Sequence, residues 1–153
     1  MATPTTTRMD PLAGFCFKVT FVDVPNTVDT YFRSVSGLRY ETEVIPLKAG
    51  GANDTTFNLV GGMKWSPLVF KQGFTKGSGL LAWRELWTKD GKKKRTGGTI
   101  QQLDTTLKVV QAEWTFVRGW PSKWELTEFD ASKSELSIET LEISHEGLKY
   151  TAK

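Results

Sequence analysis

The sequence predicts a mainly β domain that carries one helix. Apolar and polar residues alternate with a period of two along several stretches, as in strands with one buried face. Glycines and prolines separate these stretches, and a single segment repeats its apolar residues at helical spacing. A chain of 153 residues suits one domain, which buries roughly 70% of its unfolded surface. We therefore predict a flexible arm over residues 1–9 and a single domain over residues 10–150.

The first predicted hairpin lies at the start of that domain. Its first strand has apolar residues at every second position, namely Phe15, Phe17, Val19 and Phe21. Residues 31–35 are predicted to return as its hairpin partner before a turn at Ser36 and Gly37.

A second strand is predicted over residues 38–47, with a charged face that carries Arg39, Glu41 and Glu43. Pro46 is expected to end the regular pairing or to bend this strand, because proline donates no ladder hydrogen bond.

The strand that returns from it is predicted over residues 55–60, after a flexible tip over residues 48–54. It is expected to stop at Gly61 and Gly62. Neither this glycine pair nor the pair in the tip is followed by the Lys-Ser/Thr that holds phosphate and magnesium, so both are predicted to be turn glycines.

The single helix is predicted to follow a short strand over residues 68–71. Ser78 is its expected N-cap, and Asp90 with Gly91 its expected end. The residues that recur at helical spacing are Leu80, Trp83, Leu86 and Trp87. We expect these indoles to cover one end of the sheet structure.

A third hairpin is predicted over residues 98–104 and 108–118, across a turn at Thr105 and Thr106. Its second strand alternates cleanly, with one face formed by Val110, Ala112, Trp114 and Phe116. One side of this strand is therefore expected to be core and the other wet or at a polar interface.

Two tryptophans then flank a proline in the segment Trp120-Pro121-Ser122-Lys123-Trp124. A proline fits a strand edge or a turn better than mid-sheet, so we expect the indoles at a boundary where subunits meet. In the strand candidate over residues 135–148, the apolar parity changes near Glu139 and Thr140. Either a bulge or a strand covered on both faces explains that change.

No catalytic or metal site is predicted. One cysteine, Cys16, and one histidine, His145, cannot supply the usual zinc ligands, and a single cysteine cannot form an internal disulfide. Glu41 with Glu43, or Glu139 with Glu142, could act as paired carboxylates, but alternating acids on strands more often form a solvated face. We predict no enzyme activity and no cofactor.

The basic run over residues 92–95 suits phosphate contacts, but no aromatic stacking platform is interleaved with it. A solvated loop explains the run equally well. The sequence has no secretion signal and no apolar run long enough to span a bilayer, so we expect a protein made in the cytoplasm.

From Asp10 to Leu148 the sequence resembles the tail tube protein family of contractile bacteriophages, which includes the inner tube proteins of extracellular contractile injection systems. Two pieces in their proper order carry most of the resemblance, Trp120-Pro121-Ser122-Lys123-Trp124 and His145-Glu146-Gly147-Leu148. The weaker pieces are Ser36-Gly37-Leu38, Gly50-Gly51 with Asn53, Gly61 with Lys64, and Gly98 with Ile100. Val60 precedes Gly61 where many members have proline, a departure that affects one turn.

The resemblance implies an antiparallel β-barrel or sandwich of the tail-tube type with one flanking helix. It implies hexameric rings that stack into a hollow, rigid tube, which sheath contraction drives through a target envelope. The implied partners are further copies of the chain, the sheath protein, baseplate and terminal cap proteins, and cargo in the lumen, either protein or DNA. It implies no membrane insertion, and assembly into a phage tail or an injection particle.

Contacts between subunits or rings are predicted on residues of the second hairpin, the Trp-Pro-Ser-Lys-Trp segment and the last strand: Glu41, Glu43, Gly50, Gly51, Asn53, Trp120, Lys123, Trp124, Glu139, Glu142 and His145. The hairpin around Gly50 and Gly51 is implied to take part in stacking between rings. Two alternatives fit the same residues. One is a monomeric tryptophan-rich module that binds carbohydrate or nucleic acid, and the other is a hexameric secreted carrier that does not stack.

Overall fold

The computed structural model describes residues 16–22, 24, 30–48, 50–51, 55–74, 79–89, 93–127, 130–132 and 136–153. These residues form ten strands and one helix: β1 Cys16–Phe21, β2 Thr30–Phe32, β3 Ser34–Ser36, β4 Tyr40–Lys48, β5 Thr56–Trp65, β6 Leu68–Gly73, α1 Gly79–Thr88, β7 Thr96–Leu103, β8 Val110–Leu126, β9 Ile138–Ser144 and β10 Gly147–Ala152. The predicted mainly β class with one helix is confirmed. The predicted arm, Asn53, Ser78, Asp90, Gly91 and Lys92 lie outside the described residues.

Eight strands form one antiparallel sheet in the order β2-β1-β7-β8-β9-β6-β3, with β10 beside β8. The strands at the two ends of this order, β2 and β3, are joined through Arg33 alone, whose N–H donates to the Lys71 carbonyl oxygen at 2.9 Å. The chain therefore crosses from one edge of the sheet to the other, and the sheet curls into the predicted barrel. The predicted hairpin partner over residues 31–35 was only half right, because the segment changes neighbours at Arg33.

The core lies inside this curled sheet, where each strand contributes alternate residues. Phe21 packs against Phe70, Trp83 and Phe116, with ring centroids 5.1–6.2 Å apart. Helix α1 adds Leu80 and Trp83 to the same core, so one face of the helix closes the barrel. Within the described residues no helix is long and apolar enough to cross a membrane.

The longest strand, β8, bends at Arg118, a non-glycine residue with φ 53°. Its first half pairs with β10 and β7, and its second half pairs with β9. β10 pairs with β8 before the bend and β9 pairs with β8 after it. Both keep the same register, since Val117 lies opposite Gly147 and Trp120 lies opposite Ser144.

The outer side of the bend is held by Glu146, whose carboxylate pairs with Arg95 and with Arg118 Nε at 2.6 Å. The long strand predicted over residues 135–148 is therefore two strands, with His145 and Glu146 between them.

The predicted change of parity in the last strand was wrong. Glu139, Leu141 and Ile143 all point to the core, and β9 pairs with β6 in unbroken register. Leu136, which suggested the other parity, precedes the strand and is 87% exposed. The alternation was misjudged because a carboxylate, not an aliphatic side chain, occupies one core position.

The prediction that Pro121 lies at a sheet boundary was also wrong. Pro121 lies within β8 opposite Ile143, and the register between β8 and β9 shifts between Pro121 and Lys123. A bulge tolerates proline because the ladder is interrupted there and needs no N–H from it.

A candidate assembly surface on the projecting hairpin

Strands β4 and β5 form a separate two-stranded sheet, which we call the projecting hairpin. Each strand pairs only with the other among the described residues. Pro46 does not end β4, since it lies opposite Asn58 within the ladder, and β5 does not stop at Gly61 but continues to Trp65. Both predicted breaks were wrong because a two-stranded sheet has open edges, where proline and bulges are tolerated.

A bulge divides the hairpin into a base and a distal part. Glu43 on β4 faces two residues, Gly61 and Gly62, and the register shifts between Thr42 and Val44. A Cβ on Gly61 would lie 2.9 Å from both the Cβ and the carbonyl oxygen of Glu43, so glycine is needed for the strands to stay close. At the other end, Gly50 and Gly51 lie in the turn, with φ 96° at Gly51.

Beyond the bulge, one face of the hairpin is entirely apolar. Cross-strand partners share a face, and Ile45 lies opposite Leu59 while Leu47 lies opposite Phe57. These four side chains, which we call the apolar face, are each 45–51% exposed. About half of each side chain is therefore open to solvent.

The opposite face is also incompletely covered, since it carries Val44 and Val60, the latter 85% exposed. In the described part of the chain, eight of the sixteen exposed large hydrophobic residues belong to the hairpin: Tyr40, Val44, Ile45, Leu47, Phe57, Leu59, Val60 and Met63. Such a concentration on open strands marks a protein-binding surface, because water solvates these side chains poorly and the edges invite pairing.

Polar groups flank this surface at the base. Glu41 lies opposite Lys64, and both Glu41 and Glu43 are exposed, as predicted for a charged strand face. Sequence analysis missed the apolar face because Ile45 and Leu47 fall on the same alternate positions as Glu41 and Glu43, which predicted a charged face. The adjacent glycines at 61 and 62 were the available signal for the bulge.

Other predicted contact residues lie within the fold. Glu139 is fully buried and accepts hydrogen bonds from Trp124 Nε1 at 2.7 Å and Gln72 Nε2 at 2.9 Å. Trp120 is half-buried and stacks on Trp87 of α1, with centroids 5.8 Å apart and planes 15° apart. The two indoles thus make different contacts within one chain: Trp124 donates a hydrogen bond to a buried carboxylate, and Trp120 stacks on the helix.

The remaining predicted residues lie at or near the surface. Lys123 is exposed and pairs with Glu125 at 3.2 Å, and Glu142 is half-buried on the outer face of β9. His145 is half-buried at the base of the projecting hairpin. No group of three or more His, Cys, Asp or Glu side chains within the described ranges is placed to hold a metal ion.

The model of the T4-like virus tail tube protein gp19 family matches residues 13–149 of this chain. The chain belongs to that family. It is accordingly a tail tube protein, the structural subunit of a tube.

Solved structures support the fold of this tail tube protein. A chain in a cryo-EM structure of the anti-feeding prophage (AFP) baseplate is 24% identical with a TM-score of 0.80, over 99% of this chain and 98% of that one. A chain in the extended sheath-tube complex of an extracellular contractile injection system, PVC, is 19% identical with a TM-score of 0.79, over 94% and 93%. Hcp1 from Flavobacterium johnsoniae is 14% identical with a TM-score of 0.54, over 91% and 97%. No curated protein matches the chain.

Proposed function

We propose that this tail tube protein forms hexameric rings that stack into the rigid inner tube of a contractile injection machine. The observation that carries the proposal is the projecting hairpin, which is apolar beyond its bulge and lacks a partner within the described chain. The similarity to chains in the AFP baseplate and the PVC sheath-tube complex supports the setting. A sheath around the tube, a baseplate and a terminal cap are the corresponding partners, and the lumen conducts protein or DNA cargo.

The hairpin is the proposed contact between rings. Both faces of the hairpin carry exposed apolar side chains, and the two faces differ. The hairpin therefore inserts between surfaces of other copies instead of pairing symmetrically with another hairpin. Contacts of this heterologous kind generate closed rings or continuing stacks. Permanent interfaces commonly bury more than about 2,000 Å², and the hairpin's exposed hydrophobic side chains would supply the apolar centre of such an interface.

The surface residues predicted from the sequence fit the margin of this contact. Glu41 and Glu43 lie at the hairpin base, and Gly50 and Gly51 lie at its tip. We propose that Asn53 adds to the tip contact, and that Lys123, Glu142 and the bonded His145 lie at or beside contacts of the barrel. The role is mechanical and not catalytic, in a protein that is made in the bacterial cytoplasm and assembled into a phage tail or an injection particle.

The apolar face is tested by Leu59→Asp, which places a charge where a neighbouring copy is proposed to pack. We expect the variant to fold but to form no tubes, because burying an unpaired carboxylate costs several kcal/mol, on the order of 3–5. Negative-stain electron microscopy and sedimentation measure assembly, and circular dichroism measures folding.

The matched control is Leu136→Asp, which adds the same charge at a residue that is exposed and lies outside the hairpin. It should assemble as the wild type does. Tubes from Leu59→Asp in wild-type yield would refute the hairpin contact. Hexamers that never stack, in the wild type as well, would instead favour the secreted carrier.

A further inference from the structure

The projecting hairpin joins the barrel through two short connections, Gly37–Arg39 and Ser66–Pro67, which we call the neck. The two connections are bonded to each other. Ser66 N–H donates to the Arg39 carbonyl oxygen at 3.2 Å, and Arg39 Nε donates to Ser66 Oγ at 2.9 Å. A Cβ on Gly37 would lie only 1.9 Å from the Pro67 carbonyl oxygen, so the connections also touch.

One side chain ties this neck to the barrel. His145 Nε2 lies 2.9 Å from the carbonyl oxygen of Ser66, and its Nδ1 lies 3.1 Å from the carbonyl oxygen of Gly147, the first residue of β10. Both partners are acceptors, so the ring donates to one of them when neutral and to both when charged.

The His145 ring also contacts aromatic rings on both sides. Its centroid lies 5.8 Å from that of Trp65, the last residue of β5, and 6.5 Å from that of Phe116 in the core. Trp65 in turn contacts Tyr40, the first residue of β4, at 5.7 Å. A chain of contacts therefore runs from the barrel core through His145 to the first residue pair of the hairpin.

We propose that His145 is a positioning residue that fixes the direction in which the hairpin projects from the barrel. The two connections are only two and three residues long, and the hairpin strands do not pair with described strands of the barrel. Without His145 the neck would therefore act as a hinge. A hairpin held in its docking direction loses less conformational entropy when it binds a neighbouring copy, which favours assembly. This consequence for assembly rests on the proposed function, whereas the fixed direction does not.

A matched pair of variants separates the ring's hydrogen bonds from its aromatic contacts. His145→Phe keeps a ring against Trp65 and Phe116 but removes both ring nitrogens, and with them the hydrogen bonds to Ser66 and Gly147. His145→Gln keeps an amide N–H donor for Ser66 and removes the ring. Spin labels on Asn58→Cys and Lys123→Cys, both at exposed positions, report the distance from the hairpin to the barrel. Cys16→Ser removes the native thiol, so that it takes up no label. Mixing the labelled chain with an excess of unlabelled chain of the same sequence ensures that the measured distance is the one between the two labels of one chain.

We expect a narrow distance distribution for the wild type and for His145→Gln, and a broad one for His145→Phe. An unchanged distribution in His145→Phe would overturn the proposal. So would an equally broad distribution in His145→Gln, because restoring an N–H donor for Ser66 would then give no rescue.

Amide exchange gives a second test, and its wild-type arm needs no variant. In the wild-type chain the Ser66 amide should exchange as slowly as amides of the barrel strands, and in His145→Phe about tenfold faster, the effect of losing a supporting hydrogen bond. A Ser66 amide that exchanges freely in the wild type would contradict a fixed neck.

Electron microscopy of the same variants keeps the two proposals apart. A broadened distance distribution in His145→Phe with normal tubes would leave the positioning role in place and refute its proposed consequence for assembly. Lost tubes with an unchanged, narrow distribution would overturn the positioning role and leave the hairpin contact standing.

Discussion

At the scale of single residues, the interior of this tail tube protein includes a carboxylate among its apolar side chains. The Glu139 carboxylate is fully buried, and the two hydrogen bonds from Trp124 and Gln72 compensate the loss of its hydration. Trp124 therefore acts within the subunit, where its N–H satisfies an oxygen that water cannot reach.

Trp124→Phe tests this role, because phenylalanine retains an aromatic ring and removes the N–H. We expect the free energy of unfolding to fall by about 1–3 kcal/mol, the cost of leaving a buried acceptor without its partner. Urea unfolding followed by fluorescence measures the change. Trp120→Phe, at the stacked position on Trp87, is the matched control and should cost less. A Trp124→Phe variant as stable as the wild type would contradict the role of the hydrogen bond.

The turn between β7 and β8 contains a second informative carboxylate. Asp104 accepts from the Thr106 hydroxyl at 2.7 and 2.8 Å, which lowers its pKa, and the backbone N–H groups of Val109 and Lys108 lower it further. A pKa lowered by folding means that the ionised group stabilises the turn above its unfolded pKa. This contribution is lost as the pH falls through the folded pKa.

Asp104→Asn should therefore flatten the loss of stability below about pH 4, the unfolded pKa range of aspartate. Melting temperatures of both proteins between neutral and acidic pH measure the difference. Parallel acid profiles for Asp104→Asn and the wild type would show that the turn does not depend on the charge.

At the scale of elements, alternation predicted the strands whose two faces differ most. The apolar parity of β1 and of the β7–β8 hairpin, including the turn at Thr105 and Thr106, was confirmed because one face packs in the core. The bend at Arg118 could not be predicted from parity, since its contact with Glu146 joins residues far apart in the sequence. Burial of Glu139 was missed for a similar reason, because its hydrogen-bond partners are distant in sequence.

The projecting hairpin was predicted as an element but not as a surface. Its candidate tip and charged base were recognisable from Gly50, Gly51, Glu41 and Glu43. The apolar face was not, since the bulge opposite Glu43 changes which residues of β5 share a side with β4. Both faces of the hairpin also carry exposed side chains, whereas the alternation of polar and apolar residues is clear only in a strand with one buried face.

Adjacent glycines allow the bulge to be tested within one element. Gly61→Ala places a Cβ 2.9 Å from Glu43, whereas Gly62→Ala meets nothing within 4 Å. We expect Gly61→Ala to disturb the pairing of β4 with β5 and to reduce the yield of tubes several-fold, as overpacking typically costs about 1–3 kcal/mol. Gly62→Ala should assemble normally.

Amide exchange of β4 and β5, together with pelleting of assembled protein, measures both effects. Equal tube yields from the two alanine variants would indicate that the shape of the bulge does not matter for assembly.

At the scale of the whole molecule, the barrel and the hairpin serve different needs. The barrel buries its own core and closes its sheet through Arg33, so the chain can fold before it assembles. The hairpin leaves its hydrophobic residues exposed within the described chain, and a neighbouring copy is proposed to cover them. A rigid subunit with one projecting apolar element is suited to a tube that must withstand axial force.

Cryo-electron microscopy of the purified wild-type protein tests this account most directly. We predict stacked hexameric rings around an open lumen, in which the side chains of Ile45, Leu47, Phe57 and Leu59 are buried against a neighbouring copy. A chain that stays monomeric at high concentration, or rings whose hairpins contact no other copy, would contradict it.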